Sequence, residues 1–398
     1  MAESTEAPQE FRPGTGRGAA GYFRVAQARD GRWWLLDPAD QPFFLRAVNE
    51  VRGAEGSPHD PVARWRAWGG NALGAGADAA LREEGLPWVG TVDFCAAGPL
   101  IHAAGARLPD VFDPEWPTAA ALRAGEICLP HCERRELIGW ISDAAAEWAQ
   151  PGGAGRPALL QICLSLEPSF AAYHAAWEFV LALHGGRLES LARAWGQPEI
   201  KNKEVVRELT RADRGLATRG YLRDDARWSQ EFARRYFALT AAAIRAHDPH
   251  HLVLGCRHGA RPGAAVLTQG VYPAVDVPWI ELAEIAQLPP GPVLAGDFTW
   301  ADERFFGAPG ARRARGLTSV ERMLRRGRAA LERAARHPGV IGYSWARWRD
   351  RPGEQPPFAG GLVHPNDAEA REHTELLADL NGRVHALRCS SAAPAPTP

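Results

Sequence analysis

The sequence predicts an α/β fold, a (β/α)8 TIM barrel, with a short N-terminal hairpin ahead of it and long loops after its third and fourth strands. Three observations lead there. Eight apolar runs of strand type lie between Phe43 and Trp345, and most alternate with helical stretches, which implies a parallel sheet. Eight repeats in about 345 residues suit a barrel of this kind. The alternative, an open doubly wound sheet, lacks its marks: no G-x-G-x-x-G follows an early strand, and no G-x-x-x-x-G-K-S/T occurs.

Taken in order, residues 1–19 are polar and rich in Gly and Pro, and read as a disordered leader. Two apolar runs, Tyr22 to Val25 and Trp33 to Leu36, flank Asp30-Gly31, a strong hairpin signal. Phe43 to Val48 is the first barrel strand and ends at Asn49-Glu50. Pro61 to Trp68 is a short helix stopped by Gly69-Gly70, Asn71 to Gly74 the second strand, and Ala79 to Glu84 a helix closed by Gly85. Pro87 to Phe94 is the third strand, followed by an irregular stretch to about residue 132. Glu133 to Trp148 reads as a helix, with Leu137, Ile138, Ile141, Ala144 and Ala145 on one face. Ala158 to Leu166 is the fourth strand. About sixty residues then pass before the helix Trp228 to His247. Leu252 to Cys256, Val275 to Trp279, Val293 to Phe298 and Val340 to Trp345 are strands five to eight. Thr318-Ser-Val-Glu321 is a capping box for a helix to Arg336, and Ala368 to Leu387 is the last helix. One barrel domain is expected over 20–388, with a disordered Ala/Pro/Ser-rich tail over 389–398.

Composition excludes several classes. Hydrophobic content of 45%, charged content of 23% and a net charge of −1 give no general electrostatic footprint for nucleic acid or an anionic membrane. The arginines from Arg312 to Arg328 read as a solvated helix face. Neither a secretory h-region nor an apolar run of membrane-spanning length appears, so the expected compartment is the cytoplasm. The six cysteines are too dispersed for a disulfide framework, and Cys128-Leu-Pro-His131-Cys132 is only half a metal site, so no metal or cofactor is expected.

The chemistry is expected at the strand ends. Glu167 follows the fourth apolar run and is itself followed by Pro168; Asp297 ends the seventh. Two carboxylates facing each other across a sugar ring are what a glycosidase needs, one to protonate the leaving oxygen and one to attack or to activate water. Trp279, Trp300 and Trp345 lie near strand ends six to eight, where flat rings stack on sugars or simply pack a lid. Asn49 and Arg257 complete the expected substrate cleft. Glu50, Asp93 and Glu281 are alternatives to Asp297 for other barrel chemistries.

Several short pieces, in order, resemble the agarase and β-galactosidase-like glycoside hydrolases of clan A. They include Asp30-Gly-Arg-Trp-Trp-Leu-Leu-Asp-Pro38, Pro42-Phe-Phe44, Arg64-Trp-Arg-Ala-Trp-Gly-Gly-Asn71, Gly85-Leu-Pro87, Leu108-Pro-Asp-Val-Phe-Asp-Pro114, Gly255-Cys-Arg257, His337-Pro338 with Gly342, and Gly361-Leu-Val363. The resemblance spans most of residues 21–388 and implies a (β/α)8 barrel acting on β-linked, galactose-containing oligosaccharides. It also implies Glu167 as acid/base and Asp297 as nucleophile. Three departures bear on the chemistry, and one is the sixth-strand end, usually polar with Asn and Tyr in the family, which reads Asp276-Val-Pro-Trp279 here. The family's Asn before the acid/base is Leu166 here, which offers no hydrogen bond, and its Glu nucleophile is Asp297, shorter by one methylene. Withdrawing a nucleophile by about 1 Å can cost roughly 100-fold in rate. The sequence therefore carries two readings: a glycoside hydrolase, and a catalytically impaired barrel that binds carbohydrate or a partner without turnover.

Overall fold

A computed structural model describes residues 10–53, 59–103, 106–142, 158–212, 216–257, 265–281, 290–300, 320–351 and 360–390. The chain opens with a three-stranded antiparallel sheet, β1 (Arg24–Gln27), β2 (Trp33–Leu36) and β3 (Pro42–Phe43). Asp30 caps its turn by accepting from Arg32 N, and Gly31 supplies the positive φ that the turn requires. Residues 10–19, expected within a disordered leader, instead run along β1. Arg12 N donates to Gln27 O and Arg17 N to Val25 O, at 2.7 and 2.9 Å.

Eight parallel strands make the main sheet. In chain order they are β4 (Leu45–Val48), β5 (Ala72–Leu73), β6 (Trp88–Thr91), β9 (Leu137–Ile141), β10 (Leu252–Val253), β11 (Trp279–Ile280), β12 (Val293–Phe298) and β13 (Val340–Trp345). The intervening β7 (Leu100–Ala103) and β8 (Ala106–Pro109) form a separate hairpin in the segment after β6. In space the large sheet runs β10-β9-β6-β5-β4-β13-β12-β11, the cyclic order of a barrel. Trp279 N donates to Leu254 O and Asp276 N to Val253 O, each at 2.9 Å, so the strands at the two sheet edges also meet. This is the (β/α)8 barrel expected from the alternation of strands and helices.

The barrel interior is built from inward residues of modest size, among them Leu45, Ala47, Ala72, Val89, Ile138, Ile141, Leu252, Leu294 and Ile341. Phe23, Val25 and Leu35 of the N-terminal sheet join that cluster. Trp33 N donates to Pro338 O, just before β13, and Ala19 N to His250 O, just before β10. The small sheet therefore plugs the N-terminal end of the barrel and leaves the opposite end, where strand ends carry chemistry, open to the loops.

Outside the strands lie α1 (Pro61–Ala67), α2 (Trp116–Cys128), α3 (Leu159–Ser165), α4 (Ala171–Leu183), α5 (Leu188–Trp195), α6 (Lys203–Arg211), α7 (Arg219–His247), α8 (Val320–Arg336) and α9 (Arg371–Ser390). The irregular stretch expected after the third strand holds β7, β8 and α2, whose buried Trp116, Ala120, Ala124 and Cys128 recur every fourth residue. The segment before Trp228 is helical too: α7 starts nine residues earlier, where Thr218 accepts from Tyr221 N as its N-cap. The capping box at 318–321 lies largely outside the described residues. Helix α9 takes in Cys389 and Ser390, the first two residues of the expected tail, and the remainder lies outside the described residues.

Two segments exchange roles relative to the sequence expectation. The fourth strand is Leu137–Ile141, placed in a helix by the sequence pattern, whereas Ala158 to Leu166, expected as that strand, contains helix α3. Both are short apolar runs, and periodicity does not separate a strand buried on both faces from a buried helical turn. All five residues of β9 are buried. In α3, Leu159, Leu160, Ile162, Cys163 and Leu164 are buried because the helix packs between α4, α6 and α7 rather than within the sheet. One strand missed and one misplaced left the total at eight.

Candidate functional site

Asp297 sits where the sequence expected it, near the C-terminal end of β12. The pairing of β12 with β13 gains one residue between Ala295 and Phe298, a bulge that re-aims the Asp297 side chain. Its backbone is left-handed, with φ of 50°, and Glu50, two residues past β4, has φ of 58°. Such conformations cost a non-glycine residue about 1–2 kcal/mol and cluster at functional sites.

Donors surround Asp297. Arg257 Nε lies 2.9 Å from Oδ1 and 3.2 Å from Oδ2, and Arg257 Nη2 lies 2.7 Å from Oδ1. Asn49 Nδ2 donates to Oδ1 at 3.0 Å, and Trp279 Nε1 approaches Oδ2 at 3.4 Å. The Asn49 amide has no freedom to turn over. Its Oδ1 accepts from Ala75 N at 2.9 Å and from Ser344 Oγ at 2.6 Å, so Nδ2 must face Asp297. Gly74 makes room for this arrangement, since a Cβ there would overlap Asn49 Oδ1. Gly296 does the same for the Trp279 indole.

Arg257 is the hub. Its Nη1 reaches Glu50 Oε1 at 3.1 Å while the rest of the fork holds Asp297. Burial alone would lower its pKa, but Asp297 and then Glu50 outweigh burial and hold it above its ordinary value. Glu50 in turn accepts from Arg351 Nη2 at 2.6 Å, and Arg347 Nε lies 3.8 Å away. Beside this network lies a cavity of about 310 Å³ lined by Glu50, Arg52, Arg347, Trp348, Arg349 and Arg351.

Glu167 is elsewhere. It follows α3 in the outer helical layer, not a barrel strand, and is exposed. Arg211 Nη2 lies 2.6 Å from its Oε1 and Arg207 Nη1 3.4 Å from its Oε2, both from α6. The hydrogen bond and charge of Arg211 hold its pKa below the usual carboxylate value. The cause of the displacement is the exchange of β9 and α3: the fourth strand actually ends at Ile141, and Ser142 is the last described residue there. Ser142 is itself taken up, donating to Gly255 O and accepting from Tyr236 Oη.

The three expected stacking rings are also packed rather than presented. Trp300 and Trp345 are buried against each other, with centroids 4.6 Å apart, and their indole N–H groups bond His373 Nδ1 and Gly360 O. Trp279 fills the barrel interior and shows only its N–H to Asp297. The structure thus gathers Asn49, Arg257, Trp279 and Asp297 at one end of the barrel, and leaves Glu167, Trp300 and Trp345 out. Glu50, which the sequence offered only as an alternative, joins them. Arg347, Arg349 and Arg351, which no sequence motif marks, line the cavity together with Trp348.

The half metal site suggested by sequence does not assemble among the described residues. His131 packs on Trp88 and Trp140, Cys128 is buried with its thiol pushed above its usual pKa, and Cys132 Sγ contacts Leu129 O. No helix among the described residues is long and apolar enough to cross a membrane.

No protein-family model matches the sequence, and a search of characterised proteins finds no match. Solved structures do match in fold. An agarase, AgWH50C, is 18% identical with a TM-score of 0.69, over 94% of this chain and 66% of that one. PfGH50B is 17% identical with a TM-score of 0.70, over 96% and 68%. A β-galactosidase from the Antarctic haloarchaeon Halorubrum lacusprofundi is 13% identical with a TM-score of 0.51, over 89% and 60%. This chain therefore spans about two thirds of the length of the agarase, and what it shares with these structures is the fold, a (β/α)8 barrel.

Proposed function

We propose that the open end of the barrel is a saccharide-binding site of glycoside-hydrolase type that holds its ligand without turnover. One observation supports this above all: both oxygens of Asp297 are occupied by Arg257, Asn49 and Trp279. A nucleophile needs a free oxygen about 3–3.5 Å from the carbon it attacks. Here an attack would have to break hydrogen bonds from a buried guanidinium. The partner carboxylate expected from sequence, Glu167, is engaged with Arg211 and Arg207 on the outer helices.

A hydrolytic reading keeps one specific support. Glu50 and Asp297 are two carboxylates at the barrel mouth, both on strained backbone and joined by one guanidinium. In that reading Asp297 attacks or activates water and Glu50, rather than Glu167, is its partner. Hydrolysis of aryl β-galactosides and β-glucosides by wild type, Asp297→Ala, Glu50→Gln and Glu167→Ala separates the two. The binding reading expects no turnover by any form, alongside calorimetric binding of galacto-oligosaccharide by wild type. Turnover lost in Asp297→Ala and Glu50→Gln would replace it with the hydrolytic one, and turnover lost in Glu167→Ala would restore the assignment made from sequence.

A further inference from the structure

The floor of the barrel, at the end away from Asp297, holds a buried histidine. His251 stands one residue before β10, and Asp248 directly follows α7; both side chains are fully enclosed. His251 Nδ1 lies 2.7 Å from Asp248 Oδ2, and Nε2 lies 2.8 Å from Arg134 O in the turn before β9. The two ring nitrogens thus face a carboxyl group and a carbonyl, and a carbonyl only accepts.

The carboxyl group has no place for a proton either. Asp248 Oδ2 also accepts from Trp140 Nε1 at 2.6 Å, and Oδ1 accepts from the backbone N–H groups of His250 and His251, each at 3.1 Å. Burial alone would raise the pKa of Asp248, but the hydrogen bonds from His251 and then Trp140 outweigh burial and hold it below the ordinary value. With acceptors at both ends of the ring, either neutral tautomer sets a nitrogen lone pair against an oxygen lone pair at 2.7 or 2.8 Å. Only the doubly protonated ring donates to both.

The N-terminal sheet is seated on this ring. Tyr22, two residues before β1, lies edge-on to His251 with centroids 5.0 Å apart, and stacks on His250 at 4.6 Å. Tyr22 Oη donates to Glu133 Oε2 at 3.0 Å, in the turn that carries Arg134, and Ala19 N donates to His250 O. Other charged or titratable groups approach from each packed element. The guanidinium of Arg134 pairs with Glu83 at 2.5 Å, Arg135 is exposed, and His247 of α7 faces Gly125 of α2. Cys128 of α2 and Tyr22 keep their protons to higher pH, through burial first, then the charge of Asp248 for Cys128 and the hydrogen bond to Glu133 for Tyr22. His250 Nε2 lies 3.9 Å from Glu133 Oε1.

We propose that His251 is a proton-loaded latch. In the folded chain at neutral pH it carries both ring protons, ties the turn before β9 to the end of α7, and seats Tyr22. Loss of either proton in alkaline solution loosens the N-terminal sheet from the barrel floor. The folded chain holds a proton that the unfolded chain gives up first, so this stabilisation is present at low pH and is lost as pH rises. The inference is independent of the saccharide reading and concerns the opposite end of the barrel.

The test uses the full chain with nitrogen-labelled histidines. At pH 7, NMR should show N–H signals from both ring nitrogens of a solvent-protected histidine, and His251→Gln should remove that pair. Native-state hydrogen exchange then follows the amides of Arg17 and Val25, which bond each other's carbonyls. Their protection factors should fall about 10-fold between pH 6.5 and 9, the size of one buried hydrogen bond turned unfavourable, while that of Leu294 in β12 holds. His250→Gln, at a partly exposed side chain, should keep that fall, and it preserves the test if His251→Gln does not fold. A ring nitrogen without its proton at pH 7 overturns the inference. So does a charged ring with unchanged protection of Arg17 and Val25. A fall that persists in His251→Gln, or vanishes in His250→Gln, places the titration on a neighbour and overturns it as well.

Discussion

Arg257→Gln tests the architecture of the site most directly. The substitution removes the cation that faces Asp297 through three contacts of 2.7–3.2 Å and Glu50 through one of 3.1 Å. Arg257, Asp297 and Glu50 are all nearly enclosed, with side-chain exposures of 10, 9 and 14%. Taking one partner from an ion pair this deep leaves an uncompensated buried charge, which costs about 3–5 kcal/mol. Here Asp297 loses its cation while Glu50 keeps Arg351 at 2.6 Å, so the middle of that range applies. With an unfolding entropy near 2.1 cal/mol/K per residue, about 4 kcal/mol lowers the Tm of a 398-residue chain by about 5 °C. The assay is a thermal melt at pH 7 and fixed scan rate of wild type, Arg257→Gln, Asp297→Asn and the double variant. Each single variant should lose stability, and the double variant should lose less than the sum, with about 2 kcal/mol or more of coupling. An unchanged melt for Arg257→Gln, or losses that simply add, would refute the assignment of Arg257 as the counter-ion of Asp297, and with it the reason for regarding Asp297 as unavailable for attack.

Three further outcomes follow from single positions. Glu167→Gln should leave both the melt and saccharide binding unchanged, because the side chain is exposed on the outer helices; a loss of binding would bring Glu167 back to the site. Gly296→Ala puts a methyl into the Trp279 indole, and overpacking of this kind costs about 1–3 kcal/mol; it should also weaken the ligand, because Trp279 carries one of the hydrogen bonds that fix Asp297, and calorimetry beside a melt reads both. Asp225, buried under α3, accepts from Leu160 N, and burial pushes its pKa up to about 6. The folded chain then keeps this proton to higher pH than the unfolded chain does. The stabilising contribution is full below about pH 4, falls as pH rises through 6, and is gone above it, in total about 3 kcal/mol. Asp225→Asn should remove that slope, so the melting difference from wild type grows in favour of the variant between pH 4 and 7 and then levels. A difference independent of pH would mean that Asp225 is ionised throughout.

The parts of the barrel that could be read from sequence are those where one physical signal stands alone. Strands β12 and β13 have the bounds expected for them, because each is a six-residue apolar run with turn residues on both sides. The N-terminal hairpin was legible through Asp30-Gly31, whose conformation only a few residue pairs favour. The fourth strand was not, and the reason is instructive. Leu137–Ile141 and Leu159–Ser165 are both five-sevenths apolar or more, and each owes its conformation to what it packs against: β9 to its neighbours β6 and β10, α3 to three helices. Local sequence holds no record of those partners. The cost of the exchange fell on function rather than on fold, since the strand count survived while the carboxylate tied to that strand's end moved out of the site.

The site illustrates a second limit. Asp297 was legible because a charged residue closes an apolar run, but what matters for its chemistry is which groups occupy its oxygens. Those groups come from Asn49, Arg257 and Trp279, spread over about 250 residues of chain, and their convergence is a property of the closed barrel. A carboxylate at a strand end is thus a position with potential. Whether it can attack depends on whether its neighbours leave an oxygen free, and here the same arginine that secures Asp297 also secures Glu50. One guanidinium holds two carboxylates at the mouth, and on the binding reading proposed above this contact is what takes both out of catalysis. On that reading, lengthening Asp297 to glutamate alone should give no turnover of aryl β-galactosides, because the longer side chain would meet the same donors from Arg257, Asn49 and Trp279.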